Sequence, residues 1–180
     1  MALGATIYKV DLSVSDFRRD YYQTHALRIA LHPSETQARM MLRVLAFSLH
    51  ADERLDFGKG LSSDDEPDLW QRNLNGNIDH WIDLGLPSEK RIRQACGKAE
   101  SVSIFCYGDR SVNTWWQKIA ADLERFDKLS VYRIGDDQLG EIAKLVQRNM
   151  QLQCTIEDSE LWLGDGKENL HITLNVLKKS

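Results

Sequence analysis

Asp68, Asp83 and Lys90 are the residues whose types and spacing invite a chemical reading. They lie in one stretch, EPDLWQRNLNGNIDHWIDLGLPSEKRIRQACGK, from Glu66 to Lys98. The stretch reads as strand, tight turn, strand and helix, which puts the two aspartates on neighbouring strands. Two carboxylates that close repel each other unless a cation lies between them. Mg²⁺, or Mn²⁺ in its place, suits such a site because it takes oxygen ligands, keeps waters and needs few protein carboxylates. Asp68, Asp83 and the backbone C=O of Leu84 are the expected ligands. A lysine nearby could orient or deprotonate a metal-bound water and offset charge building on a phosphate. Those are the parts of a metal-dependent phosphodiesterase. The competing reading is a surface hairpin, with its acids in solvent and Lys90 paired to Glu89 or Glu66.

The elements that would position these groups follow from local signals. Pro67-Asp68 opens the first strand, and Asn75-Gly76-Asn77 marks the turn. In the second strand Ile78, His80, Ile82 and Leu84 point one way, and Asp79, Trp81 and Asp83 the other. Gly85 to Pro87 breaks the strand. Ser88 can cap the helix, and Glu89 favours its positive end. Lys90 works against that dipole, so the expectation is that its ammonium turns back to Asp83 for compensation.

Composition narrows the classes. The chain has 180 residues, 42% hydrophobic and 28% charged, which fits one globular domain over residues 1–180 with a sizeable core. Its formal net charge of -4 excludes a global basic field for holding nucleic acid. Cys96, Cys106 and Cys154 are an odd number without C-x-x-C spacing and read as reduced core thiols. The N-terminus lacks the pattern of a signal peptide, and no apolar run would span a bilayer. The expectation is a cytoplasmic protein without a membrane role.

Along the chain, residues 4–13 and 22–31 alternate and predict an antiparallel hairpin joined by the polar turn Phe17 to Asp20. Ser34 to Gln37 has a capping-box pattern that opens a buried helix to about Ala51. Glu35, Arg39 and Arg43 share a side of it at helical spacing, which suggests ion pairs on a solvated face. Residues 101–107 and 129–134 read as strands; 111–126 and 136–148 read as helices. From Gln151 to Lys178 the chain alternates again, with a hairpin turn at Gly164-Asp165-Gly166. The predicted fold is α/β (α+β). Its mixed central sheet spans roughly 55–107 plus 129–134 and carries helix 34–51 beside the site. The N- and C-terminal strands form a second, mostly antiparallel sheet.

There is no P-loop, G-x-S-x-G, H-E-x-x-H or His/Cys cluster. The order of a helix bearing Glu, a strand, a P-D strand, a D-x-G strand, a helix and a strand resembles the PD-(D/E)XK nuclease core. More closely, the chain resembles the YaeQ family. The match rests on HPSET at His32 to Thr36, RMMLRVLAFSLH at Arg39 to His50, and DEPDLW at Asp65 to Trp70. WIDLGLPSEKRIRQACGKA at Trp81 to Ala99 and the pair Trp115-Trp116 complete it.

The resemblance implies a small bacterial protein with a variant of that nuclease core. Asp68 matches the P-D aspartate, Asp83 the second acid, and Glu35 the first-helix acid. The usual lysine would fall on Gly85, so Lys90 is the substitute from the next helix. Two functions follow as expectations. One is a Mg²⁺-dependent nuclease cutting DNA or RNA. The other is a catalytically inactive module binding nucleic acid or a protein partner, including a regulatory contact in transcription. Trp70, Trp81, Trp115 and Trp116 read as packing rather than base-stacking platforms.

Overall fold

A computed structural model describes residues 4–180. In chain order the strands are β1 Thr6–Asp16, β2 Tyr21–Leu31, β3 Leu55–Phe57, β4 Leu69–Arg72, β5 Ile78–Leu84, β6 Ala99–Cys106, β7 Leu129–Ile134, β8 Asn149–Glu157, β9 Glu160–Gly164, β10 Asn169–Ile172 and β11 Leu174–Lys178. The α-helices among the described residues are α1 Gln37–Leu49, α2 Glu89–Lys98, α3 Asp109–Leu123 and α4 Asp136–Ala143. The fold is mixed α+β with two mixed sheets. The chain divides into two compact units, one running up to Ala51 and including Asp137–Thr173, the other covering Asp52–Asp136 and Leu174–Ser180.

The first unit is built on the alternation of β1. Tyr8, Val10, Leu12 and Val14 are buried on one face, and Lys9 and Asp11 are exposed on the other. The five-stranded sheet has the order β10-β9-β8-β1-β2. β1 and β2 form the predicted antiparallel hairpin, turning at Asp20 in the left-handed region. β8 joins β1 in parallel, which a strand arriving from a long crossover can do and a hairpin cannot. The other three pairings are antiparallel, so the sheet is mostly antiparallel as expected, with this one parallel seam.

Helix α1 packs on β1 and β2 within this unit. Its cap is Thr36, whose Oγ1 accepts the Arg39 N–H at 3.1 Å. Ser34, the expected cap, instead pairs its hydroxyl with His32 Nδ1. Every residue from Arg39 to Ser48 is buried, so this helix has no solvated face.

The second unit holds the six-stranded sheet β11-β7-β6-β5-β4-β3. β5, β6 and β7 run parallel; β3, β4 and β5 form an antiparallel meander. β11 pairs with β7, so the end of the alternating tail leaves the first sheet for this one. Ile92, Ala95 and Cys96 of α2 and Val112, Ile119 and Leu123 of α3 share a core with Trp81, Val102, Ile104 and Val131. Trp115 and Trp116 pack against that core, and the Trp115 indole donates to the Pro87 carbonyl at 2.9 Å.

All three cysteines are buried thiols. Burial pushes Cys106 up to about 11 and Cys154 up to about 12, which keeps both protonated and inert. No described helix is long and apolar enough to cross a membrane.

Candidate functional site

The β4–β5 meander brings the two aspartates together. Leu69 pairs with Ile82, so Asp68, just before that pair, and Asp83, just after it, sit at the same end of adjacent strands. Both are buried, at 4% and 3% exposure. Asp68 Oδ2 accepts the Leu84 backbone N–H at 2.8 Å, which ties the carboxylate to β5. The loop before β4 closes over it. Gly58 N–H bonds the Asp68 carbonyl, and a Cβ at Gly60, where φ is +50°, would fall 2.7 Å from Asp68 Oδ1. Only glycine allows the backbone that near.

Arg91 is the cation paired with Asp83. Its Nε lies 2.8 Å from Asp83 Oδ2 and its Nη2 3.1 Å from Asp83 Oδ1, a bidentate pair. Its remaining donors reach the Asp64 carbonyl at 2.8 Å and the Glu66 carbonyl at 3.1 Å. The hydrogen bonds to Asp83 raise the Arg91 pKa against the opposing effect of burial, and the charges of Asp83, Asp68 and Asp64 add to that rise. One guanidinium therefore neutralises Asp83 and pins the 64–66 loop.

Lys90 does not turn back to Asp83. It is exposed and makes no ion pair with the described residues. Helix geometry decides this. Successive residues turn by about 100°, and Ile92, Ala95 and Cys96 fix the buried side of α2. Arg91 borders that side, whereas Lys90 shares the solvent side with Arg93, Gln94 and Gly97. Side chains in the first turn also slant toward the helix N-terminus, which sends Arg91 back to the end of β5. Ser88 caps α2 as expected, its Oγ accepting the Arg91 N–H at 3.2 Å. Glu89 pairs with Arg125 at 2.7 Å and Arg93 at 3.8 Å rather than with Lys90.

Glu35 lies in the first unit. Its Oε1 accepts Arg39 Nη1 at 3.1 Å and Arg43 Nε at 2.9 Å, and its Oε2 accepts Arg43 Nη2 at 2.8 Å. The three residues sit at helical spacing as expected, but they are buried, not on a wet face. Asp68 and Asp83 sit at neighbouring strand ends, but the Leu84 group that meets Asp68 is its N–H and not the expected C=O, and these polar atoms do not fit a Mg²⁺ site as arranged. Arg91 holds both Asp83 oxygens, and a divalent ion placed there would stand against a guanidinium. No group of three or more metal-ligating His, Cys, Asp or Glu side chains occurs among the described residues.

Fold and site together define an α+β protein of two mixed sheets with two buried aspartates at one strand end, one of them clamped by an arginine. The chain belongs to the YaeQ family, whose model, described as YaeQ protein, matches residues 1–174. The YaeQ proteins of Salmonella typhi and Escherichia coli K12 are each 48% identical over 174 residues, 97% of this chain and 96% of theirs. The crystal structure of YaeQ from Xanthomonas axonopodis pv. citri superposes with a TM-score of 0.94 at 41% identity, covering 98% of this chain and 99% of that one. YaeQ from Pseudomonas syringae gives 0.93 at 31% identity, with 98% and 97% covered.

Proposed function

We propose that this chain is a non-catalytic module on a nuclease-like core that acts by binding a protein partner. The element order α1, β3, β4, β5, α2, β6 follows that of the PD-(D/E)XK core and supports the topological part of the reading. The observation that carries the functional part is the bidentate Arg91–Asp83 pair. Arginine stays protonated, so it offers no general base, and its fork occupies the carboxylate a metal would need. Several neighbouring cations are also answered, Arg93 and Arg125 by Glu89 and Lys59 by Glu66, while Lys90 stands exposed. With a net charge of -4, little field remains to draw a phosphate backbone.

A second reading, the Mg²⁺- or Mn²⁺-dependent nuclease, is favoured by one observation: two buried aspartates on adjacent strands. It requires Arg91 to leave Asp83. One set of experiments separates the two. The protein is incubated with single- and double-stranded DNA and RNA in Mg²⁺ or Mn²⁺, and metal binding is followed by calorimetry, with Asp83→Ala as control. The binding-module reading expects no cleavage, no metal heat that depends on Asp83, and no salt-dependent nucleic-acid binding. Cleavage lost in Asp83→Ala would establish the nuclease. Saturable nucleic-acid binding without cleavage would replace the protein partner with a nucleic acid.

A further inference from the structure

The outer edge of β2 is long and regular, and no described strand pairs with it. The strand spans 11 residues, YYQTHALRIAL, without proline, lysine or bulge, and its one charge is Arg28. Of the devices by which proteins normally protect an edge strand, only this one charge is present. Which backbone groups face outward follows from the ladder. Lys9 N–H bonds the Arg148 carbonyl and Phe17 N–H the Ile156 carbonyl, so odd-numbered residues of β1 face β8. Even-numbered residues of β1 then face β2, and their partners there are odd, as in Tyr8 with Ile29 and Val10 with Leu27. The N–H and C=O groups of Tyr22, Thr24, Ala26, Arg28 and Ala30 therefore point away from the sheet. Arg43 Nη2 reaching the Ala30 carbonyl at 2.9 Å agrees with this. Tyr22, Thr24, Ala26 and Arg28 have no backbone partner among the described residues.

We infer that β2 is the seam of a homodimer, pairing antiparallel with β2 of a second copy about a two-fold axis at Ala26. Ala26 is the midpoint of Tyr21–Leu31, so this register overlaps the whole strand. It sets Thr24 opposite Arg28 and Tyr22 opposite Ala30 of the other copy. Every outward N–H then meets an outward C=O, and Ala30 keeps Arg43 on its second lone pair. The register also keeps the two Arg28 charges apart, whereas an axis at Arg28 would stack them. Tyr22, 47% exposed, is covered by Ala30 and the Arg28 stem. On the other face the half-buried His25 and Leu27 lie opposite each other across the axis. The result joins two five-stranded sheets into one. A second copy fits because the strands are equal in length, and this register pairs every outward N–H with an outward C=O while holding the two like charges of Arg28 apart.

Sedimentation velocity over a concentration series tests this on wild type, Thr24→Lys, Thr24→Glu and Ala26→Pro. The wild type is expected to be a dimer. Thr24→Lys sets a second cation against Arg28 at both ends of the seam and should weaken the dimer by about tenfold. Thr24→Glu should leave it intact or tighten it. Ala26→Pro removes the axial N–H donors, which an edge strand tolerates, and should give monomer. Amide exchange at Thr24, Ala26 and Arg28 should slow as dimer forms. A wild type that stays monomeric overturns the inference and leaves the edge to a foreign strand. A dimer indifferent to Thr24→Lys and Ala26→Pro overturns it by placing the interface elsewhere. If Ala26→Pro does not fold, the opposite signs of the two Thr24 variants still decide.

Discussion

Arg91 grips Asp83 side-on, Nε to Oδ2 at 2.8 Å and Nη2 to Oδ1 at 3.1 Å, while its other donors hold the carbonyls of Asp64 and Glu66. Replacing Arg91 with Met strands a buried carboxylate and releases the loop over Asp68. Breaking one partner of such a pair costs about 3 kcal/mol or more, read as a fall in the urea midpoint. Arg91→Lys should lose less, because the charge stays but the fork does not. Adding Asp83→Leu to Arg91→Met should recover much of the loss, because the orphaned charge is then gone. An Arg91→Met protein as stable as wild type would show that the pair is not a clamp.

Lys90 stands in solvent one residue away. Lys90→Met is expected to change stability by no more than about 0.5 kcal/mol in the same urea titration. It should also leave any binding activity unchanged. A selective loss of function in Lys90→Met, with folding intact, would return it to the site.

Glu35 is the shared acceptor of Arg39 and Arg43, all three buried. Glu35→Ala leaves two guanidinium groups without their carboxylate and should destabilise the chain by about 3–5 kcal/mol. Glu35→Gln keeps an acceptor and should cost less. A catalytic Glu35 would give the reverse: lost turnover at full stability.

Two groups, half-buried His80 and buried Asp16, should shape the acid limb of the stability curve. Burial holds His80 neutral, with its pKa down from 6.5 to about 4, beside the Ser103 hydroxyl at 2.8 Å. The unfolded chain takes up this proton first, so stability is full above pH 6.5 and falls toward pH 4. The full drop is roughly 3 kcal/mol. Asp16 continues the decline. Burial opposes its ionisation, but hydrogen bonds and charge from Arg18 and Arg19 outweigh that and hold it at about 2. Its contribution is present above pH 3.8 and disappears as pH falls toward 2. Chemical denaturation across pH should show His80→Gln flattening the upper window and Asp16→Asn the lower one. An unchanged slope in either variant would refute that assignment.

The sequence alone determined the period-2 faces of β1, β2 and β8, the Asn75–Asn77 turn, the Ser88 cap and the register that seats Asp68 beside Asp83. Each depends on neighbours within a few residues or on one short hairpin, where pattern and turn chemistry suffice. The side of α2 was legible too, because Ile92, Ala95 and Cys96 mark its buried stripe and place Arg91 at its border and Lys90 outside it. Lys90 has the side-chain type the motif calls for but lies on the wrong side of the helix. Only the tertiary structure decided the rest. The parallel β1–β8 seam and the move of β11 to the second sheet are pairings between distant segments, to which local alternation is blind. Burial of Glu35, Arg39 and Arg43 is of the same kind, since helical spacing sets which side chains meet but not whether water reaches them. The partner of Asp83 likewise depended on the angle at which α2 leaves β5 and on the loop carbonyls that complete Arg91, and no local pattern encodes either.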